Sequence, residues 1–189
     1  NKNSDQKYKV TMKDVMDTAK EYISKEQLVE LYRFIVFSVV IGHGDLHAKN
    51  ISLIYSSNKF DEKTMQLSPF YDISTTKIYK DTKINDVGLK IGNKTSKIKK
   101  VDLLQLASWI DIEVTLAENL VEQTSKQFID SFESYIEKLP DNIKALPYHT
   151  SKYGGQKPFE VVLKEYYKNQ VESINKNILL IDTHEDIWN

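Results

Sequence analysis

The sequence of 189 residues contains no cysteine and no long apolar run. Without cysteine, disulfide bonds, thiolate metal ligands and cysteine nucleophiles are all excluded. The longest uninterrupted apolar stretch falls far short of the roughly 20 residues that a bilayer-spanning helix needs. We therefore predict no membrane partner, and the lack of cysteine fits a protein of the reducing cytosol.

A surplus of charge is also lacking, because 26 basic and 27 acidic residues give a formal net charge of -1. A general nucleic-acid binder usually carries a basic surplus on its working face, so we predict no direct nucleic-acid partner. Hydrophobic residues make up 40% of the chain and charged residues 28%. This composition is typical of a globular protein and argues against wholesale disorder.

Helical periodicity dominates the chain after a polar segment, residues 1–10, that we interpret as a disordered linker. Capping residues followed by apolar residues at helical spacing predict five helices, over about 12–23, 25–41, 101–110, 113–138 and 159–180. Residues 51–55 and 64–71 read as two strands of a hairpin, and "GLKIG" at 88–92 reads as a further strand. The prediction is a mainly α (α+β) fold, with a helical body and a small β insertion at about 51–91.

The most apolar helix ends in the polar loop "GHGDLHAKN", residues 42–50. Gly42 and Gly44 stop the helix, because glycine favours the left-handed cap conformation. Asp45 and Asn50 follow in the loop, and a second acid, Asp72, comes directly after the hairpin. If the two strands pair, the chain returns to the loop and places Asp72 near Asn50.

Two carboxylates and an amide around one point suit a hard cation such as Mg²⁺, which takes oxygen ligands and leaves positions open for phosphate oxygens. Phosphoryl transfer from ATP uses such a set: one aspartate accepts the proton of the attacking hydroxyl, while an asparagine and another aspartate hold the metal. Asp45, Asn50 and Asp72 could fill these three roles.

The segments "GHGDLHAKNISLIY" (42–55) and "LSPFYDIST" (67–75) resemble the catalytic and metal-binding segments of the HipA family of bacterial serine/threonine protein kinases. Many members are toxins of toxin–antitoxin modules. The family pattern is approximately N-x-D-x-H-x-K-N followed by L-x-P-x-Y-D-x-x-S/T. The resemblance covers about residues 10–138 and is strongest over 42–75. It implies a kinase-like C-terminal lobe over residues 11–189.

The resemblance implies roles for five residues of this sequence. Asp45 matches the catalytic base, and Asn50 and Asp72 match the Mg²⁺ ligands. His47 and Lys49 match groups that order the loop or face the phosphates. The implied cofactors are Mg²⁺ and ATP, and the implied partners are a protein substrate and an antitoxin.

The motif departs from the family pattern at one position, since His43 stands where the family commonly has asparagine. With Gly44 it gives "HGDLHxxN", which is similar to aminoglycoside phosphotransferases and related small-molecule kinases. A small-molecule phosphotransferase therefore stays open as an alternative, as does a pseudokinase or binding module that keeps the loop without the chemistry. "SPFYDIST" favours the HipA family.

The nucleotide-covering lobe of a kinase is missing from the sequence. Such a lobe needs a Gly-rich loop, a lysine on a strand and a glutamate on a helix, but the residues before Gly42 read as helices and contain no glycine. We expect this lobe to come from the rest of a longer chain or from a partner subunit. We also expect little or no turnover from this chain alone.

Structural interpretations compete with these roles. Asp45 could cap a turn, Asn50 could form an Asx turn, and Lys49 could be an ordinary surface lysine. Asp72 could cap a short helix at 73–78. A zinc site at the two loop histidines is disfavoured, because a pair four residues apart requires a continuous helix and the glycines interrupt it.

Overall fold

The computed structural model describes residues 10–55, 65–79, 85–149 and 155–181. Its α-helices are α1 (Met12–Tyr22), α2 (Lys25–Ile41), α3 (Lys100–Trp109), α4 (Val114–Glu137), α5 (Asp141–Lys144) and α6 (Phe159–Ile174). The last of these continues into a π-helical turn, Asn175–Leu179. The five predicted helices are confirmed close to their predicted bounds, and only the short α5 was not predicted. The predicted linker at 1–10 lies, apart from Val10, outside the described residues.

Two small antiparallel hairpins accompany the helices. In the first, β1 (Leu53–Ile54) pairs with β2 (Gln66–Leu67), with Leu53 opposite Leu67. In the second, β3 (Pro147–His149) pairs with β4 (Gln156–Pro158). The first hairpin confirms the predicted pairing, although its strands are shorter than predicted. The second was not predicted, because three-residue strands carry too little alternation to be recognised.

The predicted strand at 88–92 is wrong. Around it the backbone makes only isolated bridges, from Val87 to His43 and from Ile91 to Lys94. Gly92 has φ +59° and turns the chain between Ile91 and Lys94, which bond each other in both directions. The apolar residues of "GLKIG" are buried as the prediction requires, but they lie in a tight turn instead of a strand.

Helix α2 forms the centre of the core. Ten of its 17 residues are buried, and α1, α4 and α6 pack around it. Thr11 begins α1 with a capping box to Asp14, and Ser24 caps α2, as predicted. None of the helices in the described ranges is long and apolar enough to cross a membrane.

The C-terminal end of α2 is closed by side chains of α6. The last carbonyl groups of a helix have no partner within that helix, so a buried helix end needs donors from elsewhere. Tyr166 donates its hydroxyl to the carbonyl of Ile41 at 2.8 Å, and Gln170 donates its amide to the carbonyl of Val40 at 2.6 Å. Burial also raises the pKa of Tyr166, which keeps the donor protonated. Helix α6 therefore fixes the point from which the polar loop departs.

We predict that Tyr166→Phe lowers the free energy of unfolding by about 1–3 kcal/mol, because it leaves the buried carbonyl of Ile41 without its donor. Tyr167→Phe is the matched control. The Tyr167 hydroxyl also donates to a carbonyl, that of Ile129 at 2.6 Å, but Ile129 lies inside α4, where the helix already supplies a donor. Urea unfolding of both variants tests this, and equal losses of stability would contradict the capping role.

Candidate active site

The loop leaves α2 through a left-handed turn at Gly42, which has φ +68°. The amide of His43 then bonds back to the carbonyl of Ser38 at 2.8 Å, and the amide of Leu46 bonds to the carbonyl of His43 at 3.1 Å. These bonds tie the first half of the loop to the buried helix end. The loop is thus a fixed extension of α2.

A second segment, residues 87–88, packs against the loop. Val87 bridges His43 in parallel, and the amide of Gly88 bonds to the carbonyl of His43 at 3.2 Å. Gly88 lies so close to the loop that a Cβ atom there would stand 2.2 Å from the carbonyl oxygen of Leu46 and 2.9 Å from that of Gly44. Only glycine fits at this position without moving the loop backbone.

Asn50 occupies the centre of the site. It is buried, with 2% exposure. Its Oδ1 accepts the backbone N–H of His47 at 2.9 Å, and its Nδ2 donates to Oδ2 of Asp72 at 2.9 Å. The hairpin therefore returns Asp72 to Asn50, as the strand pairing predicts. The side chain of Asn50 both orders the loop and holds the second acid in place.

Asp72 is held in an unusual backbone conformation. Its φ is +55°, in the left-handed region that residues other than glycine seldom adopt. The neighbouring Tyr71 donates its hydroxyl to the carbonyl of Lys49, and its oxygen lies 2.7 Å from Oγ of Ser52. The alternative in which Asp72 caps a helix at 73–78 is wrong, because these residues form irregular structure and turns. Tyr71 and Asn50 together fix Asp72 against the loop.

The other predicted site residues, Asp45, His47 and Lys49, lie on the same loop as Asn50. Asp45 and Lys49 are exposed, His47 is half-buried, and Asp72 is exposed. A residue that was not among the predicted site residues, His43, lies buried beside them with 1% exposure. Burial lowers the pKa of His43, while the negative charges of Asp72 and Asp45 partly oppose this effect. Both acids therefore act electrostatically on His43.

The donor types at this contact suit a magnesium ion, although the amide nitrogen of Asn50, and not its oxygen, faces Asp72. An exposed carboxylate and an amide oxygen are ligands that Mg²⁺ takes alongside waters and phosphate oxygens. Asn50 Oδ1 accepts one backbone hydrogen bond and keeps a second lone pair, as every amide oxygen has two. In the described part of the chain, no group of three or more His, Asp or Glu side chains is arranged to hold a metal. Any metal here would thus depend on Asp72, Asn50 and non-protein oxygens.

Comparison with known proteins places the chain in a family. The family model described as the HipA-like C-terminal domain matches residues 1–136. The chain therefore belongs to the HipA-like C-terminal domain family.

Two relatives are similar to the chain. A Sinorhizobium fredii protein named "Putative kinase Y4dM" is 33% identical over 123 residues, which are 64% of this chain and 28% of that protein. A chain in the structure of the Shewanella oneidensis MR-1 toxin–antitoxin system HipA, HipB and its operator DNA matches with a TM-score of 0.67 at 14% identity. The match covers 89% of this chain and 36% of that one. The likeness in structure shows the fold, and the chain spans about a third of each relative.

Gly88 provides a test of how the loop is supported. We predict that Gly88→Ala lowers the free energy of unfolding by about 1–3 kcal/mol, because the added methyl group overpacks backbone atoms that cannot rotate away. Gly155→Ala is the control, since a Cβ at Gly155 would meet no atom of the described residues, its chain neighbours apart, within 4 Å. Thermal unfolding of the two variants tests this prediction, which fails if both are equally stable.

His43 provides a test by pH. The pKa of His43 is lowered in the folded state. At pH values below the ordinary pKa of 6.5, the unfolded chain therefore binds more protons than the folded chain. The free energy of unfolding consequently falls as the pH drops through that range. We predict that His43→Asn, which has no titrating ring, reduces this loss. Unfolding free energies measured from neutral to mildly acidic pH give the two slopes, and parallel slopes would exclude His43 as the cause.

Proposed function

We propose that the chain is the C-terminal catalytic lobe of a HipA-like kinase that transfers the γ-phosphate of ATP to a serine or threonine hydroxyl of a protein. The observation that carries the proposal is the hydrogen bond between Asn50 and Asp72, with Asp45 on the same loop. It joins, across 22 residues of sequence, the amide and the carboxylate that phosphoryl transfer requires. Membership of the family supports the same reading.

In this proposal each site residue has a chemical role. Asp45, exposed at the surface of the loop, accepts the proton of the substrate hydroxyl as its oxygen forms a bond to the γ-phosphorus and the bond to the ADP leaving group breaks. Asn50 and Asp72 would hold Mg²⁺. The bound Mg²⁺ would supply the positive charge that offsets the charge of the ATP phosphates. His47 orders the loop through its backbone N–H, and Lys49 faces the phosphates.

The proposal assigns residues 11–189 to a kinase-like lobe and places the nucleotide-covering lobe outside it. The relatives' greater length supports this division, because the chain covers only 28% of one and 36% of the other. The named complex of HipA with HipB and DNA supports an antitoxin as the partner, in which case DNA would be reached through that partner. A cytoplasmic location would follow for such a toxin.

Substitution of Asp45 tests the proposed reaction in the full-length protein that carries this chain. We predict that Asp45→Asn lowers the rate of transfer of radiolabelled γ-phosphate to protein by about 10²–10⁴-fold, the usual loss for a general base. Asp72→Asn should abolish the dependence on Mg²⁺ together with the activity. Asp141→Asn, which changes an exposed acid in the first turn of α5, is the matched control and should leave the rate unchanged.

Three outcomes would contradict the proposal in different ways. Phosphate that appears only on small alcohols would identify a small-molecule phosphotransferase. Binding of ATP without any transfer would identify a pseudokinase or binding module. Equal activity of the Asp45→Asn and Asp141→Asn variants would remove Asp45 from the mechanism.

A further inference from the structure

An ion pair that is largely shielded from solvent lies next to the candidate site and takes no part in the proposed reaction. Nζ of Lys77 lies 2.5 Å from Oδ1 of Asp86, and the two side chains are only 14% and 12% exposed. The second oxygen of Asp86 accepts the backbone N–H of Ile98 at 2.9 Å. Both carboxylate oxygens therefore have partners. Such a pair differs from the surface pairs of this chain, because removing either charge would leave the other buried and without compensation.

The Lys77 side chain lies directly across the start of the loop. A Cβ atom at Gly42 would stand 2.5 Å from Cγ of Lys77 and 2.7 Å from its Cε. The neighbouring Thr76 donates its backbone N–H to the carbonyl of Gly42 at 3.1 Å, and a Cβ at Gly44 would meet Oγ1 of Thr76 at 2.2 Å. The segment that follows Asp72 is thus pressed onto the first residues of the loop.

Asp86 lies at the other end of the same support. It directly precedes Val87 and Gly88, the residues that bridge and bond His43. The ion pair consequently closes a ring of contacts. The ring runs from the loop through Asn50 to Asp72, along the backbone to Lys77, across to Asp86, and back to the loop.

We propose that Lys77 and Asp86 are positioning residues, which hold the segment 73–77 in the one place where Asp72 meets Asn50. Lys77 acts on Asp72 through five residues of backbone and touches no substrate. An ion pair shielded from solvent suits this task, because separating Lys77 from Asp86 would leave two charges without compensation. The inference rests on the proposed function only in one respect, that the contact between Asn50 and Asp72 serves phosphoryl transfer.

The side-chain amide of Asn50 reports directly on that contact in the 189-residue chain. Its NMR signals are assigned by their loss in Asn50→Asp, and its exchange with water is measured without ATP or metal. We expect Lys77→Met and Asp86→Asn each to speed this exchange about tenfold, the change that follows from losing a charge-assisted hydrogen bond of about 1.4 kcal/mol. Methionine keeps the apolar stem over Gly42, and asparagine keeps an acceptor for Ile98.

Lys94→Met is the matched control. It breaks the ion pair between Lys94 and Asp102, and Lys94 lies on the same stretch of chain as Asp86. Lys94 is 46% exposed, however, and lies outside the ring of contacts. We expect this variant to leave the Asn50 signals and their exchange unchanged. A change as large as that in Lys77→Met would show a general loosening of the fold and would overturn the inference.

The double variant Lys77→Met/Asp86→Asn separates positioning from plain stability, and it carries the test if a single variant fails to fold. With neither charge present, no buried charge is left unpaired, so we expect the stability lost in the single variants to return in large part. The fast exchange at Asn50 should persist, because the ion-pair link between the segment 73–77 and Asp86 is still absent, although the bond from Thr76 to Gly42 remains. The inference would be overturned if the double variant recovered both the stability and the slow exchange at Asn50. It would also be overturned if no variant changed that exchange. Failure of phosphate transfer would contradict the proposed function alone.

Discussion

The burial of α2 is the constraint on which the rest of the structure depends. Its second half is apolar on every side, so the helix can lie only in the middle of the core, and its end cannot shift without exposing that surface. Its terminal carbonyl groups accept hydrogen bonds from side chains of α6, and the chain leaves the helix through the left-handed conformation of Gly42. The first residues of a polar loop that begins at such a point therefore have a fixed position. This explains how exposed side chains such as Asp45 can be held precisely.

The two acids of the candidate site reach it by different routes. Asp45 is placed locally, three residues after the helix exit, whereas Asp72 arrives through a hairpin whose strands have only two residues each. Such a short ladder is a weak guide for the returning chain. The position of Asp72 therefore relies on specific contacts, from Asn50 and Tyr71 on one side and from the segment 75–77 on the other. The pairing brings the chain back, and side chains set the final geometry.

The helices and the return of the hairpin could be predicted because they depend on local patterns. Thr11 with Asp14, Ser24 with Gln27 and the apolar spacing of α4 are all legible within a few residues. The contact between Asn50 and Asp72 followed from strand pairing. The roles of the five predicted site residues in phosphoryl transfer stay predictions.

Long-range packing could not be predicted in the same way. "GLKIG" has the composition of a strand, but the turn at Gly92 and the partners of Val87 decide its shape. The need for glycine at position 88 comes from Leu46, more than 40 residues earlier in the chain. His43 could have been noticed as a buried group from its place between the apolar helix and Asp45. Its proximity to Asp72 depends on the fold.

The left-handed backbone of Asp72 sets local stability against the metal-binding role proposed for this residue. A side chain with a Cβ atom costs roughly 1 kcal/mol or more in this conformation, and glycine would adopt it without strain. A glycine there would thus favour the folded state locally while removing the carboxylate. If Asp72 holds the metal as proposed, local stability and activity would therefore favour different residues at this position.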